Sequence, residues 1–142
     1  MEKLDNIIFY TIDRSIRTYR QYAQRQLKNA GYSITIDQWL VIKTIMENPD
    51  IKQQELGEKI FKDNASVTRI IELLVKAKYL KRKSNSEDRR RFGLEVTEKG
   101  KEIIAGVYAI VLKNRATALK GISKTELEIT KKVLERITGN CH

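Results

Sequence analysis

A chain of 142 residues is long enough to bury one domain-sized core, and its single Pro and seven Gly leave long stretches free to be helical. Lys and Arg outnumber Asp and Glu by 28 to 18, a net charge of +10 that points to an acidic polymer as partner. No apolar run approaches the ~20 residues of a membrane span, MEKLDNIIF lacks a secretory h-region, and one Cys permits no internal disulfide; we expect a soluble, cytoplasmic protein with no membrane partner.

The first element expected is a helix from about Leu4 to Asn29. Leu4, Ile8, Ile12, Ile16, Tyr19, Ala23 and Leu27 recur in three- and four-residue steps, and Gly31 supplies a stop. Such a rod, ~39 Å long, exceeds what a small core can cover. It therefore reads as half of an intermolecular surface, the alternative being a helix packed wholly within its own chain. Thr35 opens a second helix with Gln38 at capping-box spacing; Ile36, Trp39, Leu40, Ile42, Lys43 and Ile45 mark its apolar side, and Asn48-Pro49 ends it. Trp39 is expected in the core. A shorter helix covers about Gln53 to Phe61, with Leu56, Ile60 and Phe61 inward. Gly57 inside it costs ~1 kcal/mol against Ala, which the close crossing of a neighbouring helix would explain.

A turn at 62–64 leads into a helix that Asn64 is expected to cap. Its buried face is Val67, Ile70, Ile71, Leu74 and Val75; Ser66, Arg69, Glu72 and Lys76 face away. Past Tyr79 come a strand-like piece from Leu80 to Lys83, a polar loop, SNSEDRRR, and a second piece from Phe92 to Val96 with period-2 alternation. A helix running into a basic hairpin is the layout of a winged helix. Thr97 then caps a helix to about Leu119, with Ile103, Ile104, Val107, Tyr108, Val111 and Leu112 along one face and Gly121 closing it. Ser123 and Glu126 repeat the capping-box spacing before a last helix to about Ile137, striped by Leu127, Thr130, Val133, Leu134 and Ile137.

The fold expected is mostly α with a small β-hairpin wing, one domain over 1–142. A winged helix-turn-helix at 33–100 is flanked by helical parts, 1–32 and 101–142, that interdigitate with those of a second chain. Residues 76–91 hold eight Lys and Arg against Glu87 and Asp88, so +6 of the net +10 falls within sixteen residues. A surface that only needs solubility mixes its signs, whereas a face that binds a polyanion concentrates one.

Several motifs carry a family resemblance. DRR at Asp88, Arg89 and Arg90 is followed by LEVTEKG from Leu94 to Gly100. ITIDQW (34–39), QELGEKI (54–60) and NASVTRIIELLVKAKYLKR (64–82) precede them. In this order and spacing the chain resembles, over nearly its whole length, the multiple-antibiotic-resistance regulator (MarR) family of transcription regulators. One departure is Lys52, where similar proteins place a Ser or Thr cap; Asp50, at capping-box spacing from Gln53, is the substitute expected. The resemblance implies a homodimer held by the terminal helices, two winged helices on a pseudo-palindromic site in double-stranded DNA, and a repressor released by a small-molecule effector or by oxidation.

Site residues follow from the physical reading. Asn64, Ser66, Thr68 and Arg69 lie in the first turns of the recognition helix (64–78), where they can enter a major groove end-on. Arg69 can bind guanine O6 and N7 bidentately, and the helix N-terminus adds positive potential toward phosphate. Local capping is the bland alternative for Ser66 and Thr68. In the wing (84–91), Arg90 is the expected minor-groove probe and Asp88 its carboxylate clamp. Lys81, Lys83, Arg89 and Arg91 are expected phosphate contacts, which position without specifying sequence.

Enzyme chemistry finds no support. The only His is His142, and there is no Cys-x-x-Cys, HExxH or Gly-rich phosphate loop, so neither catalysis, metal nor cofactor is expected. Cys141 sits at the terminus, whereas similar proteins that sense oxidants carry the thiol near the N-terminal helix. Tyr10, Arg14, Arg17 and Tyr19 are candidate polar groups for an aromatic acid and equally ordinary helix-surface residues. A DNA-binding regulator is thus weighed against a winged-helix adaptor whose basic wing meets an acidic protein.

Overall fold

The computed structural model describes residues 1–84 and 92–142. Six helices and one antiparallel hairpin follow in the order α1 (Ile8–Asn29), α2 (Ile36–Glu47), α3 (Gln53–Ile60), α4 (Asn64–Lys76), β1 (Leu80–Ser84), β2 (Phe92–Val96), α5 (Glu98–Ala118) and α6 (Lys124–Asn140). The expected fold class is the observed one.

The first helix starts later than its periodicity suggested. Leu4–Asn6 form a separate 3-10 turn, and Ile7 is extended at φ −85°, ψ 118°. At its other end α1 closes on a Schellman motif. Gly31, at φ +89°, donates to the Lys28 carbonyl and Tyr32 to that of Leu27. Thr35 and Gln38 form the capping box reciprocally, each backbone N–H donating to the other's side chain at 3.0 Å.

The core lies beneath the helix-turn-helix. Val41, Ile42 and Ile45 of α2 meet Leu56 and Ile60 of α3, Val67, Ile71 and Leu74 of α4, Leu80 and Val96 at the hairpin root, and Ile104 and Val107 of α5. Trp39 packs against this cluster without being fully enclosed. Gly57 sits where two helices cross: a Cβ there would lie 2.9 Å from the Lys62 carbonyl oxygen and 3.3 Å from Val67 Cγ2. The close approach expected of it is present, and Ala would have to push the turn away from α3.

Four expectations are corrected. Phe61 does not point inward: α3 ends one residue earlier, and Phe61 takes a left-handed conformation (φ 61°, ψ 42°) that turns the ring out, 88% exposed. Asp63, not Asn64, caps α4; its Oδ1 accepts from Ser66 N at 2.7 Å, and Asn64 becomes the first helical residue. Asp50 does not replace the missing cap at Lys52, since α3 has no side-chain cap bond and Gln53 is engaged elsewhere. The face proposed for α5 also divides. Ile104 and Val107 are buried, whereas Tyr108 and Leu112 are exposed, because one side of this helix covers the core and the adjoining side does not.

The two ends of the chain are less well covered. Only Ala23 and Leu27 of α1 are buried, and α6 buries nothing. Leu4, Ile8, Phe9, Ile16, Tyr108, Leu112, Ile129, Val133 and Leu134 are exposed large apolar side chains on these segments.

Candidate nucleic-acid interface

Helix α4 is held by its apolar stripe on α2 and α3, which leaves its first turns to solvent. Asn64 and Arg69 are exposed there, while Ser66 and Thr68 are half-buried. The Asp63 carboxyl is held below the ordinary aspartate range, chiefly by the Ser66 backbone N–H, then by the Ser66 hydroxyl, with the Arg69 charge a smaller cause. This start of the helix therefore carries a fixed carboxylate. The free positive end expected to attract phosphate is partly occupied by the protein's own anion. Ser66 is engaged at that cap, so its local role is the one the geometry displays.

Thr68 and Asn64 are bound into a network that reaches across to α3. Thr68 Oγ1 donates to the Asn64 carbonyl at 2.9 Å. Gln53 Nε2 donates both to Thr68 Oγ1 at 2.7 Å and to Asn64 Oδ1 at 2.9 Å. Gln53 was missed from sequence because its partners lie 11 and 15 residues away, across a turn whose geometry no local spacing encodes. Beside this network Gln53, Asn64 and Phe61 border an open groove of about 580 Å³ between α3 and the start of α4.

The hairpin register pairs Leu80 with Val96, Lys81 with Glu95, Arg82 with Leu94 and Lys83 with Gly93. Alternation then puts Leu80 and Arg82 on one face, Lys81 and Lys83 on the other. Lys81 Nζ lies 3.9 Å from Glu95 Oε2, so part of its charge is answered within the wing. The stem of Lys83 lies beside Gly93, at 3.5 Å from where a Cβ would stand, which is ordinary van der Waals contact. Arg82, which the sequence reading did not single out, borders a cleft with Gln53, Pro49 and Ile51. Asp88, Arg89, Arg90 and Arg91 lie outside the described residues.

A second feature lies where the long helices meet the winged helix. A cavity of about 200 Å³ is walled by Ile16, Ala23, Leu27, Ile36, Leu40 and Val111, with Tyr19, Arg20, Trp39, Asn114 and Arg115 as its polar groups. Asn114 is 3% exposed, and among the described residues the buried Nε1 of Trp39 has no hydrogen-bond partner. Of the four aromatic-acid candidates only Tyr19 reaches it. Arg14 stacks over Tyr10 at 5.7 Å and Arg17 pairs with Asp13 at 3.0 Å, both on the helix surface. Arg20, at the cavity, also pairs with Asp37 Oδ1 at 3.2 Å, and Asp37 Oδ2 meets Lys62 Nζ at 3.4 Å. That carboxylate ties α1 to the turn before α4.

Among the described residues no cluster of metal-ligating side chains occurs, and no helix is long and apolar enough to cross a membrane. The model of the MarR family matches residues 34–92. The transcriptional regulator SlyA is similar at 25% identity with a TM-score of 0.82, over 94% of this chain and 93% of that one. A MarR/EmrR family regulator from Acinetobacter sp. ADP1 superposes at TM-score 0.87 with 18% identity, over 99% and 98% of the two chains. The PcaV regulator from Streptomyces coelicolor, solved in complex with its natural ligand, superposes at 0.82 with 15% identity, over 100% and 99%.

Proposed function

Since this chain is a member of the MarR family through its winged-helix segment, residues 34–92, we propose that it is a homodimeric repressor of a pseudo-palindromic operator. In this reading α4 and the residues up to Lys78 enter the major groove and the wing (84–91) the adjacent minor groove. Residues 33–100 form the DNA-binding part, and 1–32 with 101–142 join two protomers. The observation that carries it is the exposed start of α4, where Asn64 and Arg69 face solvent beside a cationic strand. Mobility shift on specific and scrambled duplexes across a salt series tests it. A regulator prefers an inverted repeat in its own upstream DNA, with half-sites one helical turn, ~34–36 Å, apart. Binding without preference that vanishes at physiological salt would leave an adaptor for an acidic protein instead.

The cavity between α1, α2 and α5 is the proposed effector site. Its apolar walls suit a ring, Arg20 and Arg115 suit a carboxylate, and Trp39 Nε1 offers a donor. PcaV, in complex with its natural ligand, supports a ligand role in this fold. Trp39 is the only Trp, so its fluorescence reports occupancy. Titration with a benzoate series should quench or shift it saturably, and Arg20→Ala should weaken that binding about tenfold. No saturable change with any benzoate would end the effector assignment.

A further inference from the structure

Asp37 stands where α1 meets the winged helix. It lies in the first turn of α2, where its Oδ1 accepts from Arg20 Nη1 of α1 at 3.2 Å. Its Oδ2 lies 3.4 Å from Nζ of Lys62, the residue before the cap of α4. One negative charge is thus shared between two cations. Arg20 has a second outlook: it walls the cavity between α1, α2 and α5 and also borders a shallow depression with Asp37, Gln24 and Thr35. Gln24 ties α1 to the same segment, donating to the Ile34 carbonyl at 3.2 Å and accepting from Ile36 N at 3.0 Å. Those bonds are neutral, so an anion in the cavity does not compete for them. The Arg20–Asp37 pair is the tie that an anion can contest.

We infer that Asp37 is the positioning residue that couples the cavity to the DNA-reading helix; the inference rests on the reading of the cavity as an effector site and of the chain as a DNA-binding regulator. A carboxylate in the cavity gives Arg20 an anion of its own. The shared arrangement then divides, with Arg20 turned to the ligand and Asp37 left to Lys62. α1 loses its ionic hold on the winged helix, and α4 is less firmly placed for a duplex of fixed half-site spacing. The three side chains are 29% to 39% exposed, so solvent screens them less than charges on an open surface. By linkage, DNA must weaken the ligand by the same factor as the ligand weakens DNA.

The test uses the tightest-binding benzoate of the Trp39 titration and the duplex preferred in mobility shift, each measured with and without the other. Wild type should lose about tenfold in duplex affinity at saturating benzoate, and as much in benzoate affinity at saturating duplex. Asp37→Asn keeps the size of the side chain and removes its charge; it should bind both, with a coupling below about twofold. Lys62→Met, away from the cavity, should lose the coupling as well, and the double variant no more. Coupling is a ratio, so an affinity loss common to both conditions cancels. If Asp37→Asn fails to bind either one, Lys62→Met decides. A variant that keeps the wild-type coupling overturns the inference and leaves the effector reading standing. So does a wild type that binds benzoate and duplex independently, except that the cavity then regulates nothing. A wild type that binds no benzoate ends the effector reading, one that binds no duplex ends the regulator reading, and the inference falls with either.

Discussion

Phe61 and Lys78 are the two non-glycine residues with positive φ among the described residues, at 61° and 67°. Each ends a helix of the helix-turn-helix. After α4 the bonds from Lys78 N to the Val75 carbonyl and from Tyr79 N to that of Leu74 form a Schellman closure, in which glycine normally takes the left-handed place. A side chain there brings Cβ against the following carbonyl, at a cost of about 1 kcal/mol. Both side chains are exposed and contribute no core packing. Lys78→Gly and Phe61→Gly should therefore each raise stability by about 0.5–1 kcal/mol, read from denaturant midpoints. A lower midpoint would show that the side chains hold contacts beyond those described.

At the same scale, Asp63 links pH to the start of α4. Its folded pKa lies below the ordinary value because the carboxylate accepts the Ser66 N–H. The stabilisation it contributes is complete above the unfolded pKa and is lost as pH falls through the lower, folded one. Glu126, held down by the Ser123 N–H in the capping box of α6, behaves alike. Asp63→Asn keeps a capping oxygen that cannot titrate. Its melting temperature should fall less steeply than that of wild type between neutral pH and about pH 3, and identical slopes would reject the linkage.

At the scale of elements, the proposed function divides the work of binding between α4 and the hairpin. Arg69 lies on the exposed start of a helix pinned from behind by Val67, Ile71 and Leu74. Arg69→Ala should cost ~1–3 kcal/mol on the preferred sequence and much less on others, which relaxes preference. Lys83 is exposed on β1, and its proposed role is a phosphate contact, which any sequence offers. Lys83→Ala should weaken all duplexes alike and reduce the slope of log K against log salt by ~1. Equal loss from both variants on every duplex would remove the base-reading role of Arg69. Lys81 should matter less than Lys83, because Glu95 already answers its charge. Asp37 is the joint between these elements and α1, gripping Arg20 and Lys62 with its two oxygens.

At the scale of the whole molecule, the single chain leaves its terminal helices incompletely covered. Ile129 on α6 is 57% exposed and Ile8 on α1 is 60% exposed, and no residue of α6 is buried. Exposed apolar side chains of this kind mark interaction surfaces, and in the proposed homodimer a second copy covers them. The paired change Ile129→Glu with Val133→Glu should convert a dimer to monomer at micromolar concentration in sedimentation, with loss of operator binding. The helix-turn-helix core lies elsewhere, so the change should leave its near-native helical signal intact. A wild-type chain that sediments as a monomer would remove the dimer.

Local patterning was sufficient for the elements and for several of their ends. Capping spacings at Thr35 and Ser123, the apolar periods of α2 and α4, and the alternation from Phe92 to Val96 each act within a few residues, the range over which backbone hydrogen bonds close. The concentration of charge at 76–91 pointed to a polyanion for a similar reason, because charge is additive along the chain. What only the tertiary structure decided involves partners distant in sequence or a choice between neighbouring residues. Phe61 faces out because a left-handed residue ends α3; Asp63 displaced Asn64 as cap by one position. Arg20 rather than Arg14 or Arg17 reaches the cavity, and Gln53 reaches Asn64 and Thr68 across a turn. Those outcomes depend on how helices cross, and crossing is set by packing of the assembled core, which no window of adjacent residues contains.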